Sequence, residues 1–161
     1  MTFVVPFDGS DLAEAALRKA TAYGDALEED VVAVTVVPER KRYAREKGWI
    51  DEDEPYDVAA AVEALRERAE TVAPEASFEY ERIREFPPAE GIADRIERLA
   101  LEHDATVLFL GSDNVGRVVT PLASVAVNVT AEDAYDVYLV RDTNPPSVAG
   151  LADADGESAG R

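Results

Sequence analysis

Short apolar runs rich in β-branched residues recur along the chain, separated by longer segments with helical spacing. The runs are too short to be core helices, and they predict buried strands at residues 2–7, 31–37 and 106–110 and a last strand at 136–141. Residues 78–83, in which Phe78 and Tyr80 alternate with Glu79 and Glu81, predict a strand with an edge-like pattern. Apolar residues three and four apart predict helices at 12–27 and 58–72, a third helix opened by Pro87 and Pro88, and a fourth at 121–130.

This order of elements predicts the fold. Strand–helix units that repeat four times and close on a fifth strand are typical of an α/β protein with one doubly wound, five-stranded parallel sheet and helices on both faces. We expect one domain over residues 1–142. Residues 143–161 are rich in Gly, Ala, Ser and Asp and predict a disordered acidic tail.

Residues 39–57 interrupt the alternation. They carry many charges together with Gly48, Pro55 and the only tryptophan, Trp49, and show no clean period. We interpret them as a long, partly helical excursion. The sequence leaves open whether this excursion covers a ligand site or only the sheet.

Composition narrows the function classes. Asp and Glu number 34 against 16 Lys and Arg, which gives a net charge of -18 and argues against nucleic acid or anionic membranes as partners. Acidic residues spread along the whole chain indicate a high-salt cytosol, where screening reduces self-repulsion. With no cysteine and one histidine, the chain has no disulfide framework and no multi-histidine metal site. No apolar run approaches the ~20 residues of a bilayer-spanning helix, so we expect a soluble, cytoplasmic protein.

The stretch 106–124 (TVLFLGSDNVGRVVTPLAS) carries the strongest chemical signal. A buried strand ends abruptly at Gly111 and Ser112, and an apolar helical pattern resumes after Pro121. Backbone N–H groups at such a junction bind anions, phosphate in particular. In open parallel sheets, ligands bind at this carboxyl edge.

Three segments resemble one known family in the same order and spacing. Residues 4–10 (VVPFDGS) resemble the opening of universal stress proteins, 104–112 (DATVLFLGS) the fourth strand, and 136–141 (DVYLVR) the terminal strand. The resemblance covers roughly residues 2–141 and implies a flavodoxin-like fold of the adenine nucleotide alpha hydrolase type. It also implies a homodimer whose last strands pair antiparallel, and with the acidic composition it indicates a halophilic archaeon as the source.

The nucleotide-binding branch of that family carries a G-x2-G-x9-G-[S/T] motif that holds ATP phosphates. Gly111 and Ser112 match its start, but Asn114 stands at the second glycine and the final pair reads Ala123-Ser124. Gly116 follows two residues after Asn114. Asparagine tolerates the left-handed conformation and Ala123 adds one methyl group, so the resemblance implies weakened triphosphate binding rather than its loss.

By resemblance, Asp8 contacts the nucleoside, Val36 meets the base through its backbone, and residues of the motif hold the phosphates. The implied cofactor is ATP or another adenine nucleotide, with or without Mg²⁺. The full set of implied binding residues is Pro6, Phe7, Asp8, Val36, Leu110, Gly111, Ser112, Asn114, Gly116, Arg117, Ala123, Ser124 and Val125.

Each residue also has a purely structural interpretation. Asp8 is equally explained as a turn or capping carboxylate, Gly111 and Ser112 as an ordinary strand-to-loop turn, and Arg117 as a solvated arginine. Ser124 is as well explained as a small helix residue. His103 at the end of the third helix predicts a dipole contact rather than catalysis.

Three functions remain open. The first is a nucleotide-responsive stress-response module, and the second is a dimeric interaction protein of the same fold without nucleotide, which the two missing motif glycines favour. A slow ATP hydrolase ranks last, since no general base is evident and no lysine follows Lys47. We predict no catalytic residue and no metal site. Val137, Leu139 and Val140 are expected to bury a shared dimer edge.

Overall fold

The computed structural model describes residues 1–84, 89–111 and 135–143. The strands are β1 (Thr2–Pro6), β2 (Asp30–Pro38), β3 (Ser77–Ile83), β4 (Ala105–Leu110) and β5 (Asp136–Leu139). The helices are α1 (Asp11–Leu27), α2 (Lys41–Glu46), α3 (Val58–Val72) and α4 (Ala89–Glu102).

All five strands run parallel in the order β3-β2-β1-β4-β5. The chain therefore builds outward from β1 through β2 to β3, then crosses to the other side of β1 to add β4 and β5. The direction of winding reverses between β1 and β4, and such a switch point opens a crevice at the carboxyl ends of the strands. This confirms the predicted five-stranded parallel α/β fold.

The two faces of the sheet are covered by different helices. Phe3 and Val5 of β1 share a buried cluster with residues of α1 and α3. Val4 lies on the opposite face, in a cluster with Leu108 of β4 and residues of α4. This division follows from the alternation of side chains along a strand, and both faces of β1 and β2 are apolar because both are buried.

The start of α1 is fixed by Ser10. Its side chain accepts a hydrogen bond from Ala13 N at 3.2 Å, so Ser10 is the N-cap of α1. Glu14, spaced for a capping box with Asp11, instead accepts a hydrogen bond from Arg68 of α3 at 2.6 Å. The helix ends at Leu27, and its C-cap residue Glu28 has a left-handed φ of 57°.

The last strand is shorter than predicted, and the residue after it is buried. β5 ends at Leu139 rather than at Arg141, and Val140 is only 1% exposed within the protomer. Its expected place on a shared dimer edge is therefore corrected: Val140 belongs to the protomer's core, and its N–H donates to Leu110 O at 2.8 Å. The fourth predicted helix, Pro87, Pro88 and the tail from residue 144 lie outside the described residues.

Candidate functional site

The candidate site lies where β1 ends, beside the switch point. Asp8 follows the strand by two residues, and Gly9 after it adopts a left-handed φ of 80°. The Asp8 Oδ1 atom accepts a hydrogen bond from Ser10 N at 3.0 Å. Asp8 therefore fills the turn role that its sequence context allowed, and one of its carboxylate oxygens faces the loop that starts α1.

Val36 presents its backbone to the same edge of the sheet. The N–H of Phe7 donates to Val34 O at 2.8 Å, so Val34 directs its polar groups toward β1. Two residues later, Val36 directs its N–H and C=O to that same side, beyond the end of β1 at Pro6. Its side chain is buried against the α4 face. The register Pro6↔Val34, continued by two residues, brings Asp8 level with Val36, which has one backbone donor and one acceptor on that side.

Gly111 follows β4 and packs against the first turn of α1. A Cβ built on Gly111 would lie 2.2 Å from Leu12 O and 2.8 Å from the Cβ of Ala16. The glycine is therefore required for packing, whatever binds nearby. The register Val4↔Leu108, continued by two residues, brings Pro6 level with Leu110.

The 39–57 segment reaches this edge and contacts Asp8 twice. The ammonium of Lys47 lies 2.8 Å from Asp8 Oδ2, and the indole N–H of Trp49 donates to the backbone oxygen of Asp8 at 2.8 Å. Farther along the segment, the hydroxyl of Tyr56 donates to Pro38 O at 3.0 Å. No periodicity or motif announced these contacts, because Lys47 is 39 positions from Asp8 in the chain.

Aromatic and charged groups of the segment pack around Asp8. The rings of Tyr43 and Trp49 meet edge to face with centroids 5.6 Å apart, and Lys47 Nζ lies 5.7 Å from the Tyr43 ring centroid. Burial raises the pKa of Tyr43, and the Asp8 charge raises it further, so the phenol stays neutral. Burial also raises the pKa of Asp8, but Lys47 and Ser10 outweigh it and hold that pKa below its ordinary value.

Of the residues implied by the resemblance, the structure brings Pro6, Phe7, Asp8, Val36, Leu110 and Gly111 to one edge of the sheet. The others lie outside the described residues: Ser112, Asn114, Gly116, Arg117, Ala123, Ser124 and Val125. His103 pairs with Glu79 of β3 at 2.7 Å, away from this edge. Within residues 1–84, 89–111 and 135–143, no group of three or more acidic or histidine side chains could hold a metal ion.

The strand order defines a doubly wound α/β protein, a class in which ligands bind at the carboxyl edge of the sheet. The model of the universal stress protein family matches residues 1–154, and the chain belongs to that family. A comparison with curated proteins found no match. In the described part of the chain, no helix combines the length and apolar character needed to cross a membrane.

Solved structures with the same fold come from bacteria and archaea. Universal stress protein UspA from Lactobacillus plantarum has a TM-score of 0.54 and 21% identity, over 88% of this chain and 97% of that one. A universal stress protein from Burkholderia pseudomallei has a TM-score of 0.53 and 20% identity, over 88% and 96%. The universal stress protein of Archaeoglobus fulgidus in complex with dAMP has a TM-score of 0.50 and 17% identity, over 87% and 95%.

Proposed function

We propose that the protein binds an adenine nucleotide at the carboxyl ends of β1, β2 and β4 and acts as a cytoplasmic regulator of the stress response. The observation that carries the proposal is the position of the Val36 backbone. Its N–H and C=O face the side of β2 on which β1 lies, and the register Pro6↔Val34, continued by two residues, brings Val36 level with Asp8. Adenine offers an amino donor and ring-nitrogen acceptors that such a backbone pair can bind.

The remaining parts of the ligand have partners in the same crevice. A ribose hydroxyl is a donor suited to the Asp8 carboxylate, whose oxygens can each accept more than one hydrogen bond. The phosphates would lie near Gly111 and the motif residues that follow it, among them Ser112, Gly116, Arg117 and Ser124. Asn114 and Ala123 at glycine positions favour a shorter phosphate chain over a triphosphate, and Mg²⁺ would accompany only the longer one.

A relative supports the choice of an adenine nucleotide. The Archaeoglobus fulgidus universal stress protein with the same fold has been solved with dAMP. Its 17% identity carries the fold alone, so the assignment to this chain rests on Asp8, Val36 and the switch point.

Calorimetric titration with AMP, ATP and GMP in molar salt tests the proposal. We expect binding of AMP at one site per protomer, weaker binding of ATP, and no binding of GMP. The variant Asp8→Asn should weaken AMP binding, while Asp25→Asn, an exposed aspartate in the last turn of α1, should not. Protein that is purified without nucleotide and binds neither AMP nor ATP would refute the assignment.

The second candidate is a dimeric interaction protein of the same fold that binds no nucleotide. Its support is the Asp8 carboxylate, which already accepts from Lys47 and from Ser10 N. A homodimer is part of both proposals, since β5 lies at one edge of the sheet with Val137 and Leu139 more than two-fifths exposed. A slow ATP hydrolase is the third candidate, and it would be revived by product formed in a timed assay.

A further inference from the structure

We propose that the 39–57 segment is a gate over the nucleoside end of the crevice and that the Lys47–Asp8 ion pair holds this gate closed. The proposal rests on the proposed nucleotide site, because it concerns access to Asp8 and Val36. It adds a regulatory element to that site: the ligand and Lys47 compete for the same carboxylate.

The segment is attached near the carboxyl ends of two strands that border the proposed site, β1 and β2. Lys47 and Trp49, on either side of Gly48, bind the side chain and the backbone of Asp8 respectively. Gly48 has a left-handed φ of 73°, and a Cβ built on it would have no neighbour within 4 Å. The contacts of Lys47 and Trp49 are thus both made with Asp8, the residue proposed to bind the nucleoside.

The other attachment lies on β2. Tyr56 OH donates to Pro38 O, two residues beyond Val36 on the same strand. The Val36 backbone therefore lies between two points of attachment, Pro38 on its own strand and Asp8 at the end of β1. A planar base that binds the Val36 N–H and C=O has to enter beneath the 39–57 segment.

The attached segment packs on the core through Trp49 and Tyr56, both partly buried, and is otherwise little buried. Its helix α2 is six residues long, has no side-chain N-cap hydrogen bond, and buries only Ala44 fully. Residues 51–55 are exposed. A helix this short is marginal without tertiary contacts, and segments with little buried area belong to the low-stability end of a protein. Opening the segment therefore breaks the contacts of Trp49 and Tyr56 but leaves the sheet and its main helices packed.

The ion pair blocks the carboxylate. The Lys47 and Asp8 side chains are 15% and 18% exposed, so little open surface leads to Asp8 Oδ2. A charge-assisted hydrogen bond from an ammonium is stronger than one from a neutral hydroxyl. Replacing Lys47 with a ribose hydroxyl at the Asp8 carboxylate therefore costs free energy. The measured association constant is then the intrinsic constant multiplied by the fraction of molecules in which the gate is open.

The test compares Lys47→Met with Lys41→Met. Both variants remove one positive charge from the same segment, but Lys41 is exposed and lies at the start of α2. Stopped-flow and calorimetric titration with AMP should show roughly tenfold tighter binding and faster association for Lys47→Met. Lys41→Met should behave like the unmodified protein. Weaker binding by Lys47→Met would identify Lys47 as a ligand contact and overturn the gate.

A second measurement needs no nucleotide. Trp49 is the only tryptophan, so acrylamide quenching of its fluorescence reports whether the segment is closed. Lys47→Met should be quenched more strongly than Lys41→Met, and Tyr56→Phe, which frees the other attachment and leaves the Asp8 pair intact, should shift in the same direction. Equal quenching in all three variants would overturn the gate. If no variant binds AMP, the proposed function fails, and quenching alone then decides whether Lys47 holds the segment closed.

Discussion

Gly111 and Leu12 are in closer contact than any other residue type at position 111 would allow. A Cβ at Gly111 would lie 2.2 Å from Leu12 O, well inside the contact distance of the two atoms. Because that oxygen belongs to the backbone of α1, the contact is relieved only by moving the helix away from β4. The end of β4 and the start of α1 are thus held together by the absence of a side chain.

The variant Gly111→Ala should lower the free energy of unfolding by about 3 kcal/mol or more, since overpacking against backbone leaves no side chain to rotate away. Gly48→Ala is the matched control. Its added methyl group meets open space, so it should cost only about 1 kcal/mol for the left-handed φ. Urea unfolding of both variants measures the difference, and equal losses would show that α1 yields without cost.

The carboxylate of Asp8 should make stability depend on pH in a defined direction. Its pKa in the folded chain lies below the ordinary value of 3.8 because Lys47 and Ser10 overcome the effect of burial. The ionised form therefore stabilises the folded chain above that value, and this contribution is lost as the pH falls through the lower folded pKa. The stability advantage over Asp8→Asn should shrink as the pH falls below the ordinary pKa of 3.8.

Urea unfolding of both proteins between neutral and acidic pH measures that advantage. The exposed Asp25→Asn controls for the loss of one negative charge in a chain of net charge -18. In a Lys47→Met background, Asp8 loses its main charged partner, so the trend should shrink or disappear. An advantage of Asp8 that grows on acidification would contradict the assignment.

The exposed edge of β5 should be the dimer interface. Val137 and Leu139 are 45% and 42% exposed in the protomer, and an exposed apolar edge strand is an aggregation hazard unless it is covered. Val137→Lys places a charge on that edge without adding to the net negative charge, and it should give a monomer in size exclusion with light scattering.

The control for this experiment is Leu101→Lys, at the end of α4. Leu101 is 47% exposed, a similar fraction, but it lies away from β5. This variant should keep the mass of the unmodified protein. A dimer that survives Val137→Lys would move the interface to another surface. Val140→Asp would be unsuitable, because Val140 is buried within the protomer.

The ion pairs between α4 and β3 should depend on salt. Arg95 and Arg98 both donate to the Glu81 carboxylate, and these bonds hold its pKa below the ordinary range although burial acts to raise it. Glu81→Gln should cost about 1 kcal/mol in dilute buffer and less in molar salt, where charges are screened. Glu63→Gln, which breaks a pair within α3, should cost under about 0.5 kcal/mol. Urea unfolding at two salt concentrations measures both, and a loss for Glu81→Gln that is equal in both salts would contradict an electrostatic origin.

Much of the fold follows from local pattern. The run 31–37 predicted β2, which spans Asp30–Pro38, because a strand buried on both faces has to be apolar throughout. Spacings of three and four predicted α3 with both ends correct at Val58–Val72. The start of β5 at Asp136 was predicted correctly, but its carboxyl end was not, since Val140 continues the apolar pattern after the strand has ended.

Local pattern alone predicted candidate site residues only where a residue follows a strand. Asp8 and Gly111 could be assigned to one sheet edge because parallel strands bring their carboxyl ends together. Lys47 and Trp49 could not, because their contacts with Asp8 are formed between distant parts of the chain and depend on how the 39–57 segment folds back. A packing requirement such as that of Gly111 is likewise invisible until the helix is in place.

The strand order also has a consequence for synthesis on the ribosome. β1 can pair with β2 soon after residue 38 emerges, but its other edge pairs with β4, whose residues 105–110 are made much later. Until then, one side of the central strand presents open hydrogen-bonding groups, and the long sequence separation makes its closure slow. We expect the nascent chain to depend on chaperone protection over that interval, and the dependence should end once β4 has emerged.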